Sequence, residues 1–367
     1  MSRMNANTPI NFVVVGTGRR INAAHINIIK DLNRRKLIHI VGVYNRTIAN
    51  ADIFRDNFDI GVFSNIKDLI RVAGHGPKIA LVGLKYDIRF EYLKILVEAG
   101  FDILLETPFA TDSVEARKIK SLSLRHNKTI LCLEHGAFIP EIMLQKAFIS
   151  ENYKDNLRII INDEKFYAYH AVAVLNDILR CASIDLSKIN KIINSHYGSA
   201  NECTFIYPKL NYHERFFGSN RSNTRLASNW KIVFENSVFD LHTLFKKGGE
   251  EYKKYTIRKE LKDGGLYWSV PTSDEDKLEF FLESSQDFNS EDAGLLYMYQ
   301  SLINSIHKNG EICYSIDDAC DDYCLWRAVF YKNKIKPIAF MVNDTSAMLL
   351  DYFKRGASTL KATIKKC

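Results

Sequence analysis

Apolar positions in the first third of the chain follow two alternating periods. Short continuous apolar runs, Asn11–Val15, His39–Tyr44, Ile79–Leu84, Asp102–Leu105 and Thr129–Leu133, have the length and branching of strands buried on both faces. The stretches between them follow helical spacing. From Asp87 to Ala99, residues Phe90, Leu93, Leu96 and Val97 share one helical face, and Gly100 supplies a stop. Asp112 and Glu115 stand at capping-box spacing at the head of Val114–Arg125. This alternation predicts an α/β domain over residues 1–135, a doubly wound parallel sheet.

From about Gly136 the pattern changes. Leu157–Ile161, Lys191–His196, Cys203–Tyr207, Lys231–Phe234 and Tyr255–Arg258 are short, β-branched or aromatic, and separated by Asn, Gly, Ser and Lys turns. They predict an α+β domain over residues 136–337 with a large, mostly antiparallel open sheet. Two helical stretches follow, Glu291–His307 and Ile316–Tyr331; the second carries Ala319, Tyr323, Trp326 and Phe330 on one face and is expected to pack back on the first domain. Residues 338–367 read as a tail.

Composition narrows the class. The 367 residues are 46% hydrophobic and 25% charged, typical of soluble globular domains, and no apolar run is long enough for a membrane helix. No apolar leader follows the polar start, so the expected location is the cytoplasm. A net charge of +7, from 50 basic and 43 acidic residues, is mild and dispersed. It suits an anionic small molecule better than a nucleic-acid platform. None of the seven cysteines forms a CxxC pair, so reduced thiols and no metal centre are expected.

Chemistry concentrates at the first strand end. Asn11–Val15 runs into Gly16-Thr17-Gly18, then Arg19, Arg20 and a helix. Gly16 permits a tight turn, and Gly18 lets backbone approach a pyrophosphate at the positive helix end. The third glycine of such loops is replaced here by Ile21 or Asn22. The second strand ends in Asn45-Arg46-Thr47. A carboxylate at Asn45 would hold a ribose 2′-hydroxyl; a guanidinium beside an uncharged residue favours a 2′-phosphate, hence NADP(H), with NAD(H) the other possibility.

These features resemble the glucose–fructose oxidoreductase / inositol dehydrogenase (Gfo/Idh/MocA) family. Glu98–Pro108, reading EAGFDILLETP, resembles the family's AGKHVLxEKP stretch and is followed by Phe109, Ala110 and an acid-capped helix. Lys85–Glu91 stands where the family has a Pro-Asn…His segment, and Ser315–Ala319 resembles its late helix start. The resemblance implies a dinucleotide held by Gly16, Thr17, Gly18, Arg19, Arg20, Asn45, Arg46, Thr47, Leu84, Glu106, Thr107 and Pro108, a small-molecule substrate, and a homodimer through the open sheet.

Two departures change the implied chemistry. The lysine of the EKP motif is Thr107, and the family's D…H..D helix motif falls on His170, Val174 and Asp177. A sugar-alcohol dehydrogenase needs a group to take the hydroxyl proton as hydride leaves. Other branches of the family also lack that lysine and act as reductases. Biliverdin reductases carry EYP, with an EH after the next strand like Glu134-His135, and thiazolinyl-imine reductases carry EHP. The expected activity is therefore reduction by NADPH of an imine, conjugated or carbonyl group; a sugar or cyclitol dehydrogenase and a non-catalytic NADP-binding regulator are the alternatives. His135, Lys85 and His170 are the candidate proton-transfer groups. Tyr86, Glu134, Tyr169 and Asp177 are the candidate substrate contacts, with Tyr167 and the segment Tyr207–Phe217, including His213 and Arg215, as weaker ones, and Arg180 as ion-pair partner of Asp177.

Overall fold

The computed structural model describes residues 8–330 apart from 112, 153–156, 163–167, 182–190, 198–199, 207–212, 218–229, 235–236, 241, 249–250, 263, 274 and 309. The chain divides into two compact units, Met1–Glu134 with Ser284–Cys320, and His135–Glu283 with Asp321–Cys367. The tail 338–367 and residues Asp112 and Tyr167 lie outside the described residues.

The first unit begins with β1 (Ile10–Val15), α1 (Ile26–Arg34), β2 (Ile38–Tyr44), α2 (Asp52–Phe58), β3 (Gly61–Phe63), α3 (Ile66–Ala73), β4 (Lys78–Val82), α4 (Tyr86–Glu98), β5 (Asp102–Leu105), α5 (Ser113–His126) and β6 (Ile130–Cys132). Its six strands are ordered β3-β2-β1-β4-β5-β6, and every pairing is parallel. That is the doubly wound Rossmann arrangement the sequence predicts. Val13, Val14, Val15, Ile79, Ala80, Leu81 and Val82 are fully buried, as unbroken apolar runs demand in a sheet covered on both faces. The three-residue β3 is too short to leave a periodic signal and is absent from the sequence reading.

Helix ends follow local chemistry. Gly100, at φ +89°, closes α4 as its N–H reaches Val97 O and Phe101 N–H reaches Leu96 O. At the head of α5, Glu115 reaches back to the N–H and hydroxyl of Thr111, at 2.7 and 2.8 Å. The other Glu115 oxygen accepts from Arg89, which is 1% exposed. The same guanidinium donates to Pro108 O at 2.7 Å and Phe109 O at 3.1 Å, and lies 5.0 Å from the Tyr86 ring centroid. One cation thus fixes the turn after β5, which contains the cis Thr107–Pro108 peptide.

The second unit contains α6 (Pro140–Asn152), β7 (Leu157–Asn162), α7 (Ala168–Cys181), β8 (Lys191–Tyr197), β9 (Ala200–Ile206), β10 (His213–Phe217), β11 (Trp230–Phe234), β12 (Ser237–Asp240), β13 (Thr243–Gly248), β14 (Glu251–Thr256), β15 (Arg258–Lys262), β16 (Gly265–Pro271) and β17 (Lys277–Glu283). Eight strands form a sheet ordered β14-β13-β12-β11-β7-β10-β9-β8, antiparallel except for β7 with β10. A smaller antiparallel sheet runs β15-β16-β17. The expected α+β domain with a mostly antiparallel sheet is observed.

Two helices close the described chain, α8 (Ser290–Lys308) and α9 (Ile316–Phe330). The segment 284–320 groups with the N-terminal unit, whereas the sequence reading gave it to residues 136–337 and looked to the last helix for the return. Apolar periodicity reveals a buried face but not the surface that buries it. Polar contacts supply the missing address: fully buried Asp31 accepts from the N–H of Ser285 at 2.9 Å and from its hydroxyl, and Gln286 Nε2 donates to Asn27 O at 3.0 Å. Ala319 and Tyr323 of the predicted α9 face are buried. The side chains of Trp326 and Phe330 lie outside the described residues.

Removing the buried cation takes two N–H donors from Glu115 Oε1 and one from each of the Pro108 and Phe109 carbonyls. Arg89→Met is expected to lower unfolding free energy by about 3–5 kcal/mol, measured by urea denaturation.

Candidate functional site

The carboxyl ends of β1, β2, β4 and β5 converge on the loop Gly16–Gly18. Gly16 adopts φ +87°, and its N–H donates to Tyr44 O at 2.9 Å. A Cβ there would stand 2.7 Å from Leu84 Cδ2 and 2.9 Å from Gly83 O, so only glycine fits. Gly18 differs, since a Cβ there would meet only Gly83 O at 3.9 Å. The space above Gly18 is open and borders the first helical turn, with Arg19 and Arg20 exposed beside it. An exposed cradle of backbone, a helix start and two guanidinium groups fits a pyrophosphate.

The missing third glycine has a structural replacement. Ile21, 1% exposed, stands in its place, and a Cβ on Gly83 would press into the Ile21 side chain. The close helix–strand approach that the third glycine normally allows is granted here by Gly83, across the gap. Ile21–His25 forms a π-turn ahead of α1.

At the end of β2, Asn45 donates to the Thr17 hydroxyl and its Oδ1 accepts from Thr47 N–H at 3.0 Å, while Thr17 Oγ1 donates to Asn50 O at 2.7 Å. These bonds fix the rim and leave Arg46 exposed on it. Beneath, the hydroxyls of Tyr44 and Tyr92 are 2.5 Å apart. Burial, and then the Tyr92 hydrogen bond, push the Tyr44 phenol up to about 12.

On the β5 side, Glu106 is half-buried at the strand end. Its Oε1 lies 2.5 Å from His25 Nε2 and 3.6 Å from Arg20 Nε. His25 is fully buried, and its Nδ1 lies 2.7 Å from the hydroxyl of Tyr299 on α8. Burial, then the Glu106 charge, hold the Tyr299 phenol well above its ordinary value. Thr107 and Pro108 are half-buried in the adjoining turn, and Leu84 lies against Gly16. Lys85 and Tyr86 are exposed at the start of α4. The structure therefore brings the predicted cofactor residues to one edge of one sheet. It adds His25, Tyr299 and Gly83, which the sequence reading missed.

Glu134 is fully buried after β6. In the second unit His135, 2% exposed, opens a 3-10 turn through Phe138 that packs against α7. Residues 170, 174 and 177 share one face of α7 by spacing; the side chains of Tyr169 and His170 lie outside the described residues, as do Tyr207 and the side chains of His213 and Arg215. The expected Asp177–Arg180 pair is replaced by two others. Asp177 pairs with Lys146, whose Nζ also donates to Ala137 O at 3.0 Å and lies 4.8 Å from the Phe138 ring centroid. Arg180 instead lies 3.5 Å from fully buried Asp322, which also accepts from Asn176. Residues three apart on a helix can pair, but here each charge meets an opposite one on a neighbouring helix, Lys146 on α6 and Asp322 on α9.

Residues 10–134 match the model of the Gfo/Idh/MocA family, described as an oxidoreductase family with an NAD-binding Rossmann fold. The N-terminal Rossmann sheet is thus similar to the NAD-binding domain of an oxidoreductase family, the family the sequence resembles. No curated protein matches the sequence. Among solved structures, an NADPH-dependent oxidoreductase of Desulfitobacterium hafniense is similar over 90% of this chain and 98% of its own, at 11% identity and a TM-score of 0.61. An Agrobacterium radiobacter oxidoreductase, solved with NAD+, L-tartaric acid and magnesium, covers 90% of this chain and 98% of its own, at 12% identity and 0.62. The WlbA dehydrogenase of Chromobacterium violaceum, solved with NADH and UDP-GlcNAcA, covers 92% and 97%, at 11% identity and 0.61. At such identities the likeness is one of fold, and it extends through both units. Among the described residues no helix is long and apolar enough to cross a membrane.

Two outcomes test this geometry. Gly83→Ala should cost about 1–3 kcal/mol of stability through overpacking against Ile21, and Ile21→Ala in the same chain should return most of it, read by thermal unfolding. Tyr44 ionises later in the folded than in the unfolded chain. Its stabilising contribution is therefore whole below pH 10.0 and lost as pH rises toward about 12, a slope that Tyr44→Phe removes in denaturant titrations at stepped pH.

Proposed function

We propose that the chain is an NADPH-dependent reductase of a small organic substrate carrying an imine, conjugated or carbonyl group. The observation that carries the cofactor reading is the open cradle above Gly18, next to a rim on which Arg46 is exposed and Asn45 replaces the carboxylate. Gly16, Thr17, Gly18, Arg19 and Arg20 hold the diphosphate. Asn45, Arg46 and Thr47 hold the adenosine end, and Leu84, Glu106, Thr107 and Pro108 the nicotinamide end.

The bound dinucleotide supplies hydride. Reduction of such a group joins that hydride at carbon to a proton at the heteroatom or α-carbon, and the chain must deliver the proton. His135 and His170 are the histidines assigned to it, with Lys85 a third donor at the sheet edge. Tyr86, Glu134, Tyr169 and Asp177 contact the substrate, and Asp177 does so with its charge already met by Lys146. Thr107 can donate or accept a hydrogen bond but cannot serve as a base at neutral pH, which favours reduction over alcohol oxidation. The working form is a cytoplasmic homodimer.

A second reading, a sugar or cyclitol dehydrogenase, draws on the Lys146–Asp177 pair, which places an ammonium and a carboxylate together in the second unit. It requires NAD(P)+ reduction by polyols. The third, a cofactor-binding regulator, requires tight NADPH binding with no turnover on imines, enones, ketones or polyols.

The deciding experiment is a calorimetric titration with NADPH and NADH. Micromolar NADPH binding with much weaker NADH is expected, and Arg46→Ala should weaken NADPH about tenfold or more while leaving NADH nearly unchanged. Equal losses for both cofactors remove the 2′-phosphate assignment.

A further inference from the structure

Three side chains that are distant in sequence form a hydrogen-bonded line in the first unit. Tyr299 is fully buried, and its hydroxyl lies 2.7 Å from His25 Nδ1. A carboxylate can only accept, so His25 Nε2 donates to Glu106 Oε1 at 2.5 Å. Arg20, on the Gly16–Gly18 loop, lies 3.6 Å from the same oxygen.

A surface glutamate at a strand end has several rotamers. This one is gripped through a ring that is itself gripped from behind, and the Tyr299 ring stacks on Phe12 of β1 with centroids 6.1 Å apart. The line therefore runs from the sheet core to the carboxyl edge, and it ends in a negative charge beside the phosphate-cradling loop. A fixed carboxylate accepts hydrogen bonds from hydroxyl and amide N–H groups, the donors that a nicotinamide riboside presents. It also attracts a pyridinium.

With Glu106 at the nicotinamide end as read above, we propose that His25 and Tyr299 are positioning residues that aim its carboxylate at the riboside. The inference rests on the dinucleotide reading above. Its chemistry concerns one half of the ligand only, which makes it separable from that reading.

The test compares NADPH with 2′-phospho-ADP, which keeps the adenosine, 2′-phosphate and diphosphate but lacks the nicotinamide riboside. Glu106→Gln should weaken NADPH about tenfold by calorimetry, and His25→Gln and Tyr299→Phe several-fold, each leaving 2′-phospho-ADP within about twofold. Tyr299→Phe should add little in a Glu106→Gln background, because it acts through that carboxylate. Tyr299→Phe removes a single oxygen, and its thermal unfolding without ligand reports whether the fold persists. Equal weakening of both ligands, or unchanged NADPH affinity in all three variants, overturns the positioning role. A wild-type chain that binds neither ligand overturns the dinucleotide reading itself.

Discussion

The first unit depends on how closely the end of β1 can approach the end of β4. Both strands are buried on both faces, so the only free dimension at their carboxyl ends is the distance between backbones. Gly16 and Gly83 face each other across that gap, and a Cβ on Gly16 would meet Gly83 O at 2.9 Å. Because neither carries a side chain, Ile21 can enter the gap from the helix and seal it. The loop above is then left with exposed backbone rather than packed side chains. Binding capacity arises at this edge because the core beneath is already complete.

Two hydrogen-bonded devices stiffen the same edge from opposite sides. Arg89 holds the turn after β5 by its carbonyls, a role that requires a planar, multiply donating cation. His25 and Tyr299 hold the glutamate one residue before that turn by its side chain. One device fixes backbone and the other fixes charge. Since α8 supplies the tyrosine, the segment 284–320 is part of the first unit in both packing and polar contacts.

Much of this was legible in the residues themselves. Continuous apolar runs revealed the parallel strands, and Gly16, Gly18 and the residues after β2 marked the edge where they meet. The small β3 escaped notice because three residues carry no period. His25 and Tyr299 are 274 positions apart, and no local pattern links a histidine at a helix start to a tyrosine near the chain's far end. Asp177 was matched with Arg180 because helical spacing is visible in sequence, whereas Lys146 on a facing helix is not. Gly83 carries no local signal; its meaning depends on Ile21, whose position across the gap only the fold reveals.

The π-turn at Ile21–His25 gives the early part of the chain an unusual sensitivity to length. A π-turn holds one more residue than the α-turn it replaces, and each residue of helix carries about 100° of rotation. The extra residue lets Ile21 face Gly83 while Ile28, Ile29 and Leu32 of α1 still face the core. Deleting a single residue between Gly18 and Ile26 would regularise the helix and turn one of those faces away from its partner. The gap between glycine loop and helix is therefore set by phase, so descendants of this sequence can exchange side chains there more readily than they can gain or lose a codon.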